Sequence, residues 1–101
     1  MKPLAEATGH VAAPIADVRR RLLELLEGAR TEDGLIVVQG GWWYRAEYHL
    51  SPGDQGTRVT LLVFNAATTA RWAVPLANRF FVGFQAEVHD GFQKLLHTLN
   101  P

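Results

Sequence analysis

The stretch TARWAVPLANRFFVGFQAEVHDGFQKLLHTL, residues 69–99, decides the fold. Apolar side chains recur at Ala77, Phe81, Phe84, Val88, Phe92, Leu95 and Leu99, at intervals of four or three. That spacing keeps them on one face of a helix and predicts a long C-terminal helix from Thr69 to Leu99. Thr68 or Thr69 is the candidate N-cap, and Pro75 near the start is placed to kink the helix or restart it. Gly83 and Gly91 fall inside it, each costing about 1 kcal/mol relative to alanine. Close approach to a sheet or to a bound molecule is the reason to look for at either. A helix with an aromatic stripe needs a broad apolar surface, and an antiparallel sheet provides one with room for a cavity between them.

Working outward from the helix, Thr57–Asn65 is rich in threonine, valine and leucine and reads as a strand. Before it, Ser51-Pro52-Gly53-Asp54-Gln55-Gly56 is turn chemistry throughout. Trp42–Leu50 alternates most cleanly, with Trp42, Tyr44, Ala46, Tyr48 and Leu50 on one face and Trp43, Arg45, Glu47 and His49 on the other. Gly40-Gly41 suggests a hairpin back to a short apolar strand, Leu35–Gln39. Ala13-Pro14 opens a first helix with Pro14 at its first position and a stripe of Ile15, Val18, Leu22, Leu25, Leu26 and Ala29. Arg19, Arg20, Arg21, Glu24 and Glu27 form its solvated side, and Gly28 or the turn Arg30–Gly34 ends it. Leu4–Ala12 alternates loosely and reads as the first strand. The expected fold is α+β in the order β-α-β-β-β-α: one domain, residues 1–101, with an antiparallel sheet of about four strands gripped by the long C-terminal helix.

Composition narrows the function classes. Ten basic and ten acidic residues cancel, which leaves no electrostatic footprint for nucleic acid. There is no cysteine, hence no disulfide framework and no thiolate chemistry. No segment approaches the roughly 18 apolar residues of a membrane span. Met1–Ala7 lacks the pattern of a signal peptide, so a cytoplasmic location is the expectation.

Three segments carry a family resemblance. They are His10-Val11-Ala12-Ala13-Pro14-Ile15-Ala16-Asp17-Val18, the hairpin from Tyr48-His49-Leu50-Ser51-Pro52 into Gly56-Thr57-Arg58-Val59-Thr60, and the terminal helix with Arg71–Leu76 at its start. Together they resemble the START-like, or Bet v 1-like, helix-grip (SRPBCC) superfamily, in particular its small bacterial polyketide cyclase/dehydrase-like branch. The resemblance implies the sheet order Leu35–Gln39, Trp42–Leu50, Thr57–Asn65, Leu4–Ala12, with the first and last strands paired. It also implies a hydrophobic ligand of lipid or polyketide type, or a cyclase/dehydratase activity. Relatives carry further strands between the first helix and Leu35, so this chain resembles a shortened member. Leu35–Gln39 is then an exposed apolar edge, which favours a homodimer in which the truncated sheets or their open faces meet.

On the residues themselves, Trp42, Tyr44 and Tyr48 share the strand face that would meet Phe81, Phe84 and Val88. They read either as the wall of an apolar pocket with phenol hydroxyls orienting a ligand or as plain core. Under both readings Phe84 is buried, and its truncation to alanine would cost roughly 3–5 kcal/mol. Arg71 and Trp72 are placed at the mouth of such a cavity, Arg71 as a partner for a ligand carboxylate. Arg45, Glu47 and His49 offer acid–base chemistry or a solvated outer face with cross-strand charge pairs, Arg58 among the candidates. Trp43, on that polar side, reads as a contact-surface residue. His10, His49, His89 and His97 show no metal-ligand spacing, Ser51 has no recognisable base, and no cofactor motif occurs. The expected function is binding of a small hydrophobic or aromatic ligand, with a cyclase/dehydratase-like enzyme and a ligand-free homodimerising module as alternatives. Binding is preferred because no acid–base pair falls on the pocket side.

Overall fold

Alternation in the sequence becomes the centre of the sheet. The computed structural model describes residues 2–101. Its strands are β1 (Ala5–Val11), β2 (Arg30–Glu32), β3 (Leu35–Gly40), β4 (Tyr44–Gly53) and β5 (Gly56–Asn65). Helix α1 (Ile15–Leu25) follows β1, while α2 (Ala73–Ala77) and α3 (Phe84–Leu99) follow β5. The strands form one antiparallel sheet in the order β1-β5-β4-β3-β2. The four expected strands are present in the expected order, and β2 is an additional one. Pairing Arg30 with Val37 and Glu32 with Leu35, β2 covers the edge of β3 that was expected to lie open. The reason given for dimerisation through that edge therefore falls away.

Helices α1 and α3 pack on one face of the sheet. Register places Tyr48 between Ile36 and Leu61, and Leu61 beside Ala7. These residues join Val18 and Leu22 of α1 and Phe92, Leu96 and Leu99 of α3 in a single buried cluster. The opposite face carries Arg45, Glu47 and His49. Thr57 is fully buried and donates its hydroxyl to the Ala13 carbonyl (2.8 Å), fixing the turn into α1. Pro14 stands just outside α1, as its N-cap, rather than at the first helical position. Leu25, expected in the stripe, is largely exposed.

The edge of β1 is closed by α3. The Gln85 amide brackets Glu6, accepting from its N–H (3.1 Å) and donating to its carbonyl (2.8 Å). Asn100 accepts from the Ala12 N–H (2.9 Å) and donates to the His10 carbonyl (3.3 Å). These two side chains occupy backbone groups that an edge strand otherwise offers to another chain. Arg21, expected on the wet side of α1, donates to the Leu99 (2.6 Å) and Thr98 (2.8 Å) carbonyls. It thereby caps the C-terminus of α3, where a cation is favourable.

The predicted continuous helix from Thr69 to Leu99 is broken. Only Phe84–Leu99 forms its long part, and neither Thr68 nor Thr69 caps it. Arg79, Phe80 and Phe81 all have positive φ (52°, 55° and 60°), a left-handed conformation costing roughly 1–2 kcal/mol per residue. The preceding helix stops at Asn78, whose side-chain amide donates to the Val74 carbonyl (2.8 Å). Gly83, with φ 75°, is the N-cap of α3 rather than an interior residue. Packing supports the left-handed turn: it delivers Phe81 against both Trp43 and Phe84.

The β4–β5 hairpin is tighter than expected. Pairing continues to Gly53↔Gly56, so only Asp54 and Gln55 remain as its loop. Pro52 is tolerated within β4 because β3 pairs only as far as Tyr48. At Pro52 the strand has one neighbour, and the missing N–H is not needed.

Candidate functional site

The N-terminal half of α3 stands over the sheet and leaves a cleft of about 460 Å³. Tyr44 and Tyr48 of β4 and Leu61 of β5 form its floor. Phe84, Val88, Phe92 and Leu95 supply the α3 wall, and Leu26, just beyond α1, closes the far side. Their i, i+4 and i+3 spacing repeats the stripe read from sequence. Gly91 and Glu87 complete the helix side. A β-carbon built on Gly91 would meet nothing within 4 Å, so this glycine does not serve close contact with the sheet. That role belongs to Gly9 of β1, where an added β-carbon would collide with the Leu96 side chain.

The two phenols are the polar groups of the floor. Among the described residues neither hydroxyl has a hydrogen-bond partner within the protein, and neither is sealed off as a buried unsatisfied atom. Both hydroxyls are therefore reached by solvent, and both tyrosines line the cleft. Burial raises the Tyr44 pKa above its ordinary value. The Tyr48 phenol is pushed up to about 12, by burial first and then by the nearby Tyr44. At neutral pH both remain uncharged, each able to donate and accept a hydrogen bond.

An aromatic cluster stands at the Phe84 end. The Trp43 ring lies 5.4 Å from Phe81, 5.6 Å from Tyr44 and 6.0 Å from Phe84, centroid to centroid, and Phe81 lies 5.2 Å from Phe84. These are edge-on and tilted contacts of the kind aromatic rings prefer.

Of the residues expected to bind a ligand, Tyr44, Tyr48, Phe84 and Val88 line the cleft. Phe84 is only half-buried, and Phe92 is the fully buried ring of the wall. Phe81 contacts Phe84 from outside the cleft. Trp42 does not take part: the β3–β4 ladder ends at Gly40↔Tyr44, so the alternation that grouped it with Tyr44 stops one pair short. Its indole N–H instead donates to the Thr69 carbonyl (2.8 Å), and the residue is 43% exposed. Its neighbour Trp43 takes the place expected for it. Trp72 is 76% exposed, and Arg71 is also exposed and does not line the cleft. Sequence reasoning did not assign Leu26, Leu61, Glu87, Phe92 or Leu95 to the site, although Phe92 and Leu95 belong to the same stripe and Glu87 lies one helical turn from Phe84; Gly91, singled out for close approach to a sheet or a bound molecule, lines the cleft.

The outer face holds a separate polar system. Arg45 donates to Glu47 (3.0 Å) and Glu32 (3.1 Å), Arg30 donates to Glu32 (2.9 Å) and Gln39 (3.2 Å), and His49 Nε2 meets Glu47 (3.1 Å). The Arg45 and Arg30 guanidiniums hold the Glu32 carboxyl below the usual carboxylate range. Arg45–Glu32 and Arg30–Gln39 are the cross-strand pairs expected of a solvated face, with Glu32 rather than Arg58 as partner, while the contacts of Glu47 with Arg45 and His49 and of Arg30 with Glu32 run along a single strand. A smaller depression of about 240 Å³ lies over Arg45, Glu47, Phe64 and Ala66. Among the described residues no group of three His, Cys, Asp or Glu is placed to hold a metal ion, and no helix is long and apolar enough to cross a membrane. Set against protein-family models, curated proteins and solved structures, the chain matches none of them.

Proposed function

We propose that this chain binds a small apolar or aromatic molecule in the cleft between α3 and the sheet, and that it is a short helix-grip domain of the START-like kind. The observation that carries the binding reading is a cleft of about 460 Å³ with largely apolar walls, lined by two tyrosines whose solvent-reached hydroxyls have no hydrogen-bond partner among the described residues. A few convergent polar groups in an apolar recess are the usual composition of a small-molecule site. The pairing of β1 with β5 and the helix laid across that sheet support the helix-grip reading. Binding is favoured over a cyclase or dehydratase reaction because the Glu47–His49 pair lies on the other face, with Glu47 engaged by Arg45. The test is calorimetry and thermal shift with naphthalene-based probes. A ligand that binds only the native state raises the melting midpoint, and Val88→Trp, which fills the cleft, abolishes that rise.

A second reading rests on a different surface. Trp72, Leu76, Phe80 and Val82 are all strongly exposed along the segment between β5 and α3, and large apolar side chains left exposed in one segment are material for a contact surface. Self-association through this segment is the form of the homodimer reading that survives the covering of β3. Light scattering across a concentration series tests it, with Trp72→Ser and Phe80→Ser abolishing any dimer.

A further inference from the structure

The cleft is polar in one sense only. Its lining holds two neutral phenols and one carboxylate, Glu87, and no lysine, arginine or histidine. Glu87 lies in the first turn of α3, where the helix dipole favours a negative side chain. The dipole would act on a carboxylate anywhere around that turn, whereas Glu87 faces the cleft. Among the described residues it has no salt-bridge partner. Four aromatic residues, Phe84, Phe92, Tyr44 and Tyr48, line the same cleft. Aromatic rings attract cations, and an exposed carboxylate adds a modest ion pair. An anionic head group would find no positive partner there and would meet Glu87 instead.

We propose that the ligand is a hydrophobic amine: an apolar, preferably aromatic body carried in the cleft, with a protonated amino group paired to Glu87 and hydrogen-bonded to a phenol oxygen. The inference rests on the binding reading above and gives it a charge sign. It reverses the expectation of an arginine-bound carboxylate at Arg71, whose side chain is exposed outside the cleft.

The test compares three probes with one apolar body: 1-naphthylmethylamine, 1-naphthalenemethanol and 1-naphthylacetate, titrated calorimetrically at neutral pH. The amine binds about tenfold more tightly than the alcohol, the combined size of a cation–π contact and a partly exposed ion pair, and the carboxylate binds weakest. Glu87→Gln brings the amine to within about twofold of the alcohol. Glu87→Lys inverts the order of amine and carboxylate. Because Glu87 is exposed, neither variant disturbs the fold, which circular dichroism verifies. Alcohol binding with no amine preference, or an amine preference that survives Glu87→Gln, overturns the charge assignment and leaves the cleft reading standing. Failure of all three probes to bind overturns both.

Discussion

Replacing Gly91 with alanine separates a cleft from a packed interface. Gly91 lies mid-helix in α3, where glycine is about 1 kcal/mol worse than alanine because its backbone loses more freedom on folding. In an ordinary packed interface that deficit is the condition for two elements to meet, and an added methyl group destabilises. Gly9 shows this case, since a β-carbon there runs into Leu96. At Gly91 the same construction meets no atom within 4 Å, so nothing offsets the backbone gain. Gly91→Ala should stabilise the protein by about 0.5–1 kcal/mol. For a domain of this size that is a rise of roughly 2–8 °C in melting temperature. Urea unfolding followed by circular dichroism checks it: the midpoint should rise with the slope unchanged. Gly91 lines the cleft, so naphthalene-probe affinity should fall in the same variant. A loss of stability would refute the reasoning, because it would mean that α3 rests on the sheet at this point and that the recess is closed in solution.

The Tyr48 phenol gives a pH signature. Its folded pKa of about 12 lies above the ordinary 10.0, so its stabilisation is fully present below pH 10 and is lost as pH rises through about 12. Two units correspond to something on the order of 2–3 kcal/mol. Tyr48→Phe should lose correspondingly less stability than wild type over that window in parallel urea titrations, and identical losses would place the phenol in water. Arg21→Met should cost about 1–3 kcal/mol by releasing the Leu99 and Thr98 carbonyls, with the loss read as faster amide exchange in the last turn of α3. Phe92→Ala should cost roughly 3–5 kcal/mol as a fully buried ring, while Phe84→Ala, half-buried, should cost about 1–2 kcal/mol and fall mainly on probe binding; equal costs would contradict the observed burial.

Period carried most of the fold. The alternation of Tyr44–Leu50 and the four-and-three spacing of Phe84–Leu99 each imply a buried face, and those two faces meet. Features set by single partners were not legible in the same way. Strand β2 has three residues, two of them charged, and no apolar alternation; it is held by backbone pairing to β3 and by Glu32 bridging Arg30 and Arg45. The break before α3 was written in Asn78 and Gly83, both residues suited to ending helices, but the apolar period runs through them and masks the interruption. Trp42 and Trp43 exchanged roles because side-chain alternation holds only while a ladder holds, and the ladder stops at Tyr44. Arg21 looked like one member of a solvated basic run, since nothing local reveals that the C-terminus of α3 comes to rest beside it.

The cleft follows from unequal support at the two ends of α3. At the C-terminal end Gly9 admits Leu96 close to β1, Leu99 is buried, and Asn100 and Arg21 fasten the last turn. At the N-terminal end the helix meets bulk: Trp43, Phe81 and Phe84 interlock, and Tyr44 fills the floor beneath them. A helix seated on a glycine at one end and braced by a cluster of aromatic rings at the other leaves a gap between its two supports. Close-packed interiors leave few voids, so an opening here needs such a mechanical cause, and the aromatic wedge supplies it. Enlarging Gly9 and shrinking Trp43 should therefore act in opposite senses on the cleft, the first lifting the seated end and the second lowering the propped end onto Tyr48, read as a gain and a loss of naphthalene-probe affinity. The left-handed turn at Arg79–Phe81 fits the same logic: its backbone strain is the cost of setting Phe81 into the wedge, and a regular helix continuing from α2 would carry that ring elsewhere.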